Sequence, residues 1–321
     1  MPFLEPYWNF LLVHPLLSLL VGAYNFIADF GFAVVIVTLL IRGALYPLYV
    51  TQIRSQRAMQ ELAPAIKDLQ QKYGKDRARI QQEQMKLYQE RGVNPLGGCL
   101  PLLLQMPILF AMYAAFVQAP ILDGEQLRQA VWPFIPLPAG LGPLDHLDMT
   151  AHWLPWITDC AGPNGSMLHG LACSDKVLFG VTGILPIVAG VLQLAASLQA
   201  MPMNQPKSDD PNVRVTQSMA YYFPLITVYF ASTFPSGLAV YWVTTTVFQI
   251  VQQYFVSGWG QLAKWLPFLR AIPTPADRLM AQHERAAMRE VESDMGAPAA
   301  VPERAGNGNG ERRSRRRRRG R

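Results

Sequence analysis

Long apolar runs alternate with polar stretches along the chain, and the length of each run decides what it can become. Residues 26–50, FIADFGFAVVIVTLLIRGALYPLYV, are long and apolar enough to cross a bilayer, which takes about 20 helical residues. Similar runs follow at 99–118, 177–200, 218–234 and 237–256, the last two joined by a tight turn at Pro235-Ser236-Gly237. These predict an all-α membrane protein with five spans. Residues 10–24 are apolar, but they are too short to span and contain Pro15. Residues 1–25 therefore read as an extracytoplasmic interfacial segment, with Tyr7, Trp8 and Tyr24 suited to the aromatic belt. That segment lacks a basic n-region and a small-residue cleavage site, so no cleaved signal peptide is expected.

Between the first two spans the pattern becomes polar. Ile66, Leu69 and Tyr73 repeat at helical spacing, as do Ile80, Gln84 and Leu87, with Gly74 between the two sets. The spacing predicts a helical hairpin, 52–73 and 76–91, with Pro64 kinking the first helix or beginning its outer half. A binding surface and a solvated spacer both fit this hairpin. Residues 119–175 form a long loop rich in Pro, Gly and Trp. Its Trp132, Trp153 and Trp156 suit the outer interface.

Charge orients the chain. The 51–95 hairpin holds nine Lys/Arg, the 201–217 link adds Lys207 and Arg214, and the region after residue 256 holds 14 of the 28 in the chain. The 119–175 loop has Arg128 alone against six Asp/Glu. The positive-inside rule then puts hairpin, link and C-terminus in the cytoplasm and the N-terminus outside. The chain divides into 1–25, a core at 26–256, and a basic tail at 257–321 whose composition predicts disorder. The tail ends ERRSRRRRRGR, so Arg312, Arg313, Arg315, Arg316, Arg317, Arg318 and Arg319 form a polycation. It serves topology and solubility, or contacts polyanions such as RNA or anionic lipid. Half the residues are hydrophobic and 16% are charged, against about 25% charged in soluble chains. Cys160 and Cys173 share the outer loop, and both a disulfide and two free thiols fit the sequence.

Candidate chemistry is sparse. Arg42 lies inside the first run, about 12 Å from residues able to reach the polar interface at ~1.5 Å per residue. A cation at that depth costs at least a few kcal/mol without water or partners. It either snorkels to the headgroups or, with Thr38 one turn away, forms a stripe facing a wet cavity. The other spans offer Gln105, then Gln193 and Ser197 one turn apart, then Trp242, Thr246 and Gln249 at i, i+4 and i+7. His14, His146, His152, His169 and His283 lie outside the five spans, and Asp29 stands at an outer edge. No proton relay, Ser-His hydrolase, phosphate loop or metal constellation is expected, so the chain reads as a non-enzyme without metal or cofactor. Neutral hydrogen-bonding groups around one arginine suit a hydrated groove that lowers the cost of moving polar peptide into lipid. A nonselective pore makes the same demand, but a selective channel or transporter needs elements not found here. A passive ribosome-tethering assembly chaperone would need only tail and hairpin.

The runs TLLIRGALYPL (38–48), LAPAIKDLQQKYGKD (62–76), NPLGGCLPLLLQMPILFAMY (94–113) and FPSGLAVYWVTTTVFQIVQQY (234–254) resemble the YidC family of membrane protein insertases, in a short bacterial form. The resemblance implies five transmembrane helices around a hydrophilic groove, plus a cytoplasmic helical hairpin, in the bacterial inner (plasma) membrane. It implies that Arg42 attracts acidic residues in the translocated tails of nascent membrane proteins, and that Gln193 and Trp242 line the groove. It also implies that the hairpin recruits substrate, ribosome or the Sec machinery, and that the basic tail contacts the ribosome. No nucleotide is expected to be used. The large folded periplasmic domain of Gram-negative members and the lipoprotein-type N-terminal cysteine of many Gram-positive ones are not found, and the 119–175 loop is longer than short forms imply.

Overall fold

The computed structural model describes residues 5–74, 76–94, 100–138, 141–143, 145, 147–157, 160–161, 167–168, 170–176, 183–203, 211–275 and 278. Prolines and polar caps decide where the apolar runs become helices. At the N-terminus α1 (Glu5–Trp8), a π-helical turn (Asn9–Val13) and α2 (His14–Ile27) run on without a break. Pro15 falls in the first turn of α2, where a missing N–H removes least. Pro6–Ile27 makes 22 residues, long and apolar enough to cross a membrane by length and composition. The helix is longer than the 10–24 run because Tyr7, Trp8 and Asn9 join it. The packing nevertheless lays α2 along residues that follow the second predicted span. Ser18 Oγ accepts from the Trp132 N–H (3.0 Å), Asn25 Nδ2 donates to the Pro136 carbonyl (2.6 Å), and Gly22 faces Ile135.

The 26–50 run is not one helix. Ala28 adopts a left-handed conformation (φ 54°) that ends α2. Asp29 then caps α3 (Phe30–Ala44), its carboxylate accepting from the Phe32 N–H at 3.0 Å. After Leu45 the chain turns by 65° into α4 (Tyr46–Glu61). Pro47, in the first turn of α4, cannot donate to the Gly43 carbonyl. The last part of the predicted span therefore belongs to the hairpin's first helix. Next come α5 (Ala63–Tyr73), with Pro64 in its first turn, and α6 (Arg77–Glu90), capped by Asp76. The two meet at Gly74, whose φ of +59° lets α5 stop there. Helix α6 lies close to the predicted 76–91, while the predicted 52–73 is two helices that part at Leu62, with Pro64 beginning the outer one.

The remaining elements are α7 (Leu100–Gln118), α8 (Gly124–Ala130), α9 (Ile184–Ala200), α10 (Pro211–Thr233), α11 (Ser236–Val256) and α12 (Leu262–Trp265). Helix α9 begins later than the predicted 177, of which residues 177–182 lie outside the described residues. Helix α10 begins at Pro211 and takes in part of the predicted 201–217 link. Among the described residues the fold is all-helical apart from one antiparallel ladder, β1 (Cys160–Ala161) with β2 (Met167–Leu168).

That ladder belongs to a folded cap built from the loop after α7. Asp123 and Gln126 form a reciprocal cap at the start of α8. A disulfide joins Cys160 to Cys173. Leu127, Val131, Leu147, Met149, Leu154 and Leu171 are buried in one core with Leu17, Leu20, Phe30, Met112, Phe116 and Leu238 of the long helices. Polar ties fix the cap to three helix ends. The Thr150 carbonyl accepts from Phe30 N (3.2 Å), the Cys173 carbonyl from Ser236 N (2.7 Å), and the Asp175 carboxylate from Leu185 N (2.9 Å). Trp153 pairs with Phe32 and Trp132 stacks on Phe134, both tryptophans partly exposed, while Trp156 packs against the core. His152 lies exposed on the cap surface and still bonds to Asp29. Its backbone N–H donates to Asp29 Oδ2 at 2.7 Å and its ring nitrogen lies 3.2 Å away. Burial opposes the Asp29 charge, but these bonds and that from Phe32 outweigh it and hold the carboxyl below its usual range.

At the opposite end, glutamine side chains of α4 and of the long helices bond to backbone carbonyls of neighbouring segments. Gln60 donates to the Ala200 carbonyl (2.9 Å), Gln252 to that of Tyr46 (3.4 Å), and Gln199 to those of Ile250 and Gly258 (both 3.1 Å).

Candidate functional site

Arg42 sits in the last turn of α3 and is 6% exposed. Dehydrating a guanidinium to this degree is costly unless its N–H groups find partners. Helix packing brings an acceptor from α7 and a ring face from α4 to the guanidinium, and α11 holds the acceptor. The bend after Leu45 returns α4 beneath α3 and lays the Tyr49 ring 4.3 Å from the guanidinium carbon. Such a cation–π contact is worth about 0.5–2 kcal/mol. From α7, Gln105 Oε1 accepts from Arg42 Nη2 at 3.2 Å and from the Tyr49 hydroxyl at 3.2 Å. Gln105 Nε2 donates to the Tyr241 hydroxyl of α11. Because arginine has no acceptor, the amide oxygen must be the atom facing it. The cluster joins α3, α4, α7 and α11 through four side chains, and the partners they give Arg42 are all neutral. A unit positive charge is therefore compensated by dipoles and a ring face, and it keeps its attraction for an anion.

The remaining predicted residues divide. Thr38 is buried and donates to the Val34 carbonyl of its own helix (2.7 Å), so it serves α3 and does not extend a polar stripe from Arg42. Thr246 of α11 donates to Gln193 Oε1 of α9 at 3.5 Å, a long bond that forms a second polar pair. Trp242 is partly buried against the apolar core. Ser197 on α9 and Gln249 on α11 are half-buried. The structure thus brings Arg42 to Gln105 and Gln193 to Thr246. Arg312, Arg313 and Arg315 to Arg319, with Lys207, His146, His169 and His283, lie outside the described residues.

Sequence reasoning missed Tyr49 and Tyr241. Tyr49 lies at i+7 from Arg42, where a straight helix would bring it to the same face, but a tyrosine in an apolar run reads as interface belt or core. Tyr241 precedes Trp242, and only the packing of α7 on α11 shows which of the two aromatics meets Gln105. The buried Gln199 and Gln252 were also passed over, although glutamines near span ends are the sequence signal for carbonyl capping of this kind.

The comparisons agree with one another. The family model described as 60Kd inner membrane protein matches residues 22–261. The chain is similar to a protein of Oceanobacillus iheyensis named membrane protein insertase YidC, 32% identical over 258 residues, covering 78% of this chain and 83% of that one. It is similar to a protein of the same name from Wolinella succinogenes, 33% identical over 243 residues, covering 76% of this chain but 36% of the relative. The chain thus spans about a third of that longer relative. Among solved structures it is similar to an active YidC insertase crystal structure with the first transmembrane domain resolved. There the identity is 24% and the TM-score 0.45, over 76% of this chain and 45% of that one.

Proposed function

The chain belongs to the 60Kd inner membrane protein family, and we propose that it is a membrane protein insertase that draws short acidic tails across the bilayer by means of Arg42. The observation that carries this reading is the buried guanidinium whose partners, Gln105 and Tyr49, are neutral. A fixed cation in a low-dielectric site attracts a carboxylate strongly while the rest of the substrate stays in water. A tight buried ion pair would trap the substrate, so the contact is transient. The driving force is the partition of the substrate's apolar segment into lipid, at roughly 25 cal/mol per Å² of apolar surface, with no nucleotide consumed. Phe223, Leu225, Ile226, Tyr229 and Phe230 expose a broad apolar flank of α10 along which that segment leaves.

In this reading the spans are α3 with the start of α4, α7, α9, α10 and α11. Helix α2 lies in the outer interface beneath the cap, and the α5–α6 hairpin stands in the cytoplasm with the basic tail. Nascent membrane proteins are the substrates; hairpin and tail meet ribosome, Sec machinery and anionic lipid. The test is insertion of a single-span protein with an acidic N-terminal tail into proteoliposomes that hold only this protein. Wild type inserts it, and R42A lowers the yield about tenfold, the loss of ~1.4 kcal/mol of stabilisation. Equal yields would remove the electrostatic role. Absence of insertion by wild type without ribosomes would favour a tethering factor.

A further inference from the structure

Gln105 is held in a way that ordinary core packing does not require. Its amide oxygen takes two donors at once, the Arg42 guanidinium and the Tyr49 hydroxyl, each at 3.2 Å. Its amide nitrogen engages a third group, the Tyr241 hydroxyl. A primary amide and a carboxylate are nearly isosteric. A carboxylate oxygen at the Oε1 position would receive the same two bonds, now charge-assisted and roughly twice as strong. A hydroxyl rotates freely, so Tyr241, which accepts from the amide, can turn to donate to the second carboxylate oxygen. The site is thus a complete three-donor carboxylate seat, built from α3, α4 and α11, in which a side chain of α7 sits.

We propose that Gln105 is a resident neutral stand-in for the substrate carboxylate, and that Tyr49 and Tyr241 are specificity residues that complete the seat with Arg42. This rests on the reading of Arg42 given above. With Arg42 6% exposed and Tyr49 5% exposed, the seat is closed while Gln105 fills it. An entering Asp or Glu takes over the donors as the amide swings away. The backbone near Gln105 has room to give. Pro107, two residues on within α7, has no N–H to bond the Leu103 carbonyl, so this turn lacks one of its ladder bonds. The exchange sets selectivity. A neutral tail gains nothing by displacing an amide with an amide, whereas an acidic tail gains charge-assisted bonds. When the tail leaves, Gln105 returns and spares the guanidinium an unpaired state, which keeps the capture reversible.

The experiment is the proteoliposome assay run with two substrates that differ only in the tail, one with Asp and one with Asn at the same positions. The readout is the ratio of acidic-tail to neutral-tail insertion, which a merely structural defect leaves unchanged because it lowers both yields together. Q105E places a permanent carboxylate in the seat, and the ratio falls about tenfold. Q105A empties the seat, and the ratio stays at or above that of wild type. Y49F removes one hydroxyl from a side chain of the same shape, and the ratio falls severalfold, so it decides the matter if Q105E does not fold. A ratio under Q105E equal to that of wild type, or equal falls under Q105E and Q105A, would overturn the proposal. So would a wild-type ratio under Y49F. Failure of the underlying reading is separately visible, as a wild-type ratio near one that R42A does not change.

Discussion

At the scale of the residue, a single methyl group is enough to test how tightly the cap end of the bundle is packed. Gly237 begins α11 against the Phe116 ring, and a Cβ there would run into that ring, which is itself buried. Overpacking of this kind costs about 1–3 kcal/mol. G237A is therefore expected to lower the Tm in detergent, and a Tm equal to that of wild type would show that the ring can move aside. Residue identities carried much of the site. Arg42 was legible from the cost of one cation in an apolar run, and Gln105 from being the polar residue of its span, and the structure bonds the two directly. Tyr49 and Tyr241 were not legible. A tyrosine is at home in the core, in the aromatic belt or in a hydrogen-bond network, and only the neighbours that the fold supplies tell these apart.

At the scale of the element, hydrophobic run length located the long helices but not their breaks. The long apolar run continues past Ala28, Asp29 and Leu45, where backbone geometry, a polar cap and a proline end the helices. Asp29 and Pro47 are local signals, yet an apolar run of spanning length outweighs them in a reading by periodicity. The reverse holds for 119–175. Its Pro, Gly and scattered apolar residues have no helical or alternating period, so it reads as loop although it folds into a cap whose apolar residues join the core of the long helices. Its disulfide closes a segment with a sequence separation of 13, and cross-links around loops of about 15 residues contribute ~3 kcal/mol in the chain-entropy account. The C160S/C173S variant is expected to expose the cap. Limited proteolysis of the purified protein in detergent should cleave the variant between Asp148 and Asp175 and spare wild type. Equal cleavage would show that burial in the shared apolar core and the ties to Asp29, Phe30, Leu185 and Ser236 hold the cap without the disulfide.

At the scale of the whole molecule, the described helices are tied to one another at both ends, and the charge of Arg42 is not neutralised within its cluster. The cap joins the ends of α3, α9 and α11 on one side, and Gln60, Gln199 and Gln252 close carbonyls on the other. Arg42, in the last turn of α3, is left with neutral partners. The all-helical class and the hairpin could be read from run lengths and charge, because both depend on sums over many residues. The seat could not, because it depends on four side chains from four elements. The most direct test of the central claim is a double-mutant cycle in proteoliposomes, crossing R42A with Asp→Asn in the substrate tail. If the guanidinium acts on the tail carboxylate, each change alone lowers insertion about tenfold, and the two together lower it no further, a coupling of ~1.4 kcal/mol. Losses that multiply to about a hundredfold would mean that Arg42 and the tail carboxylate act independently, and would contradict the account.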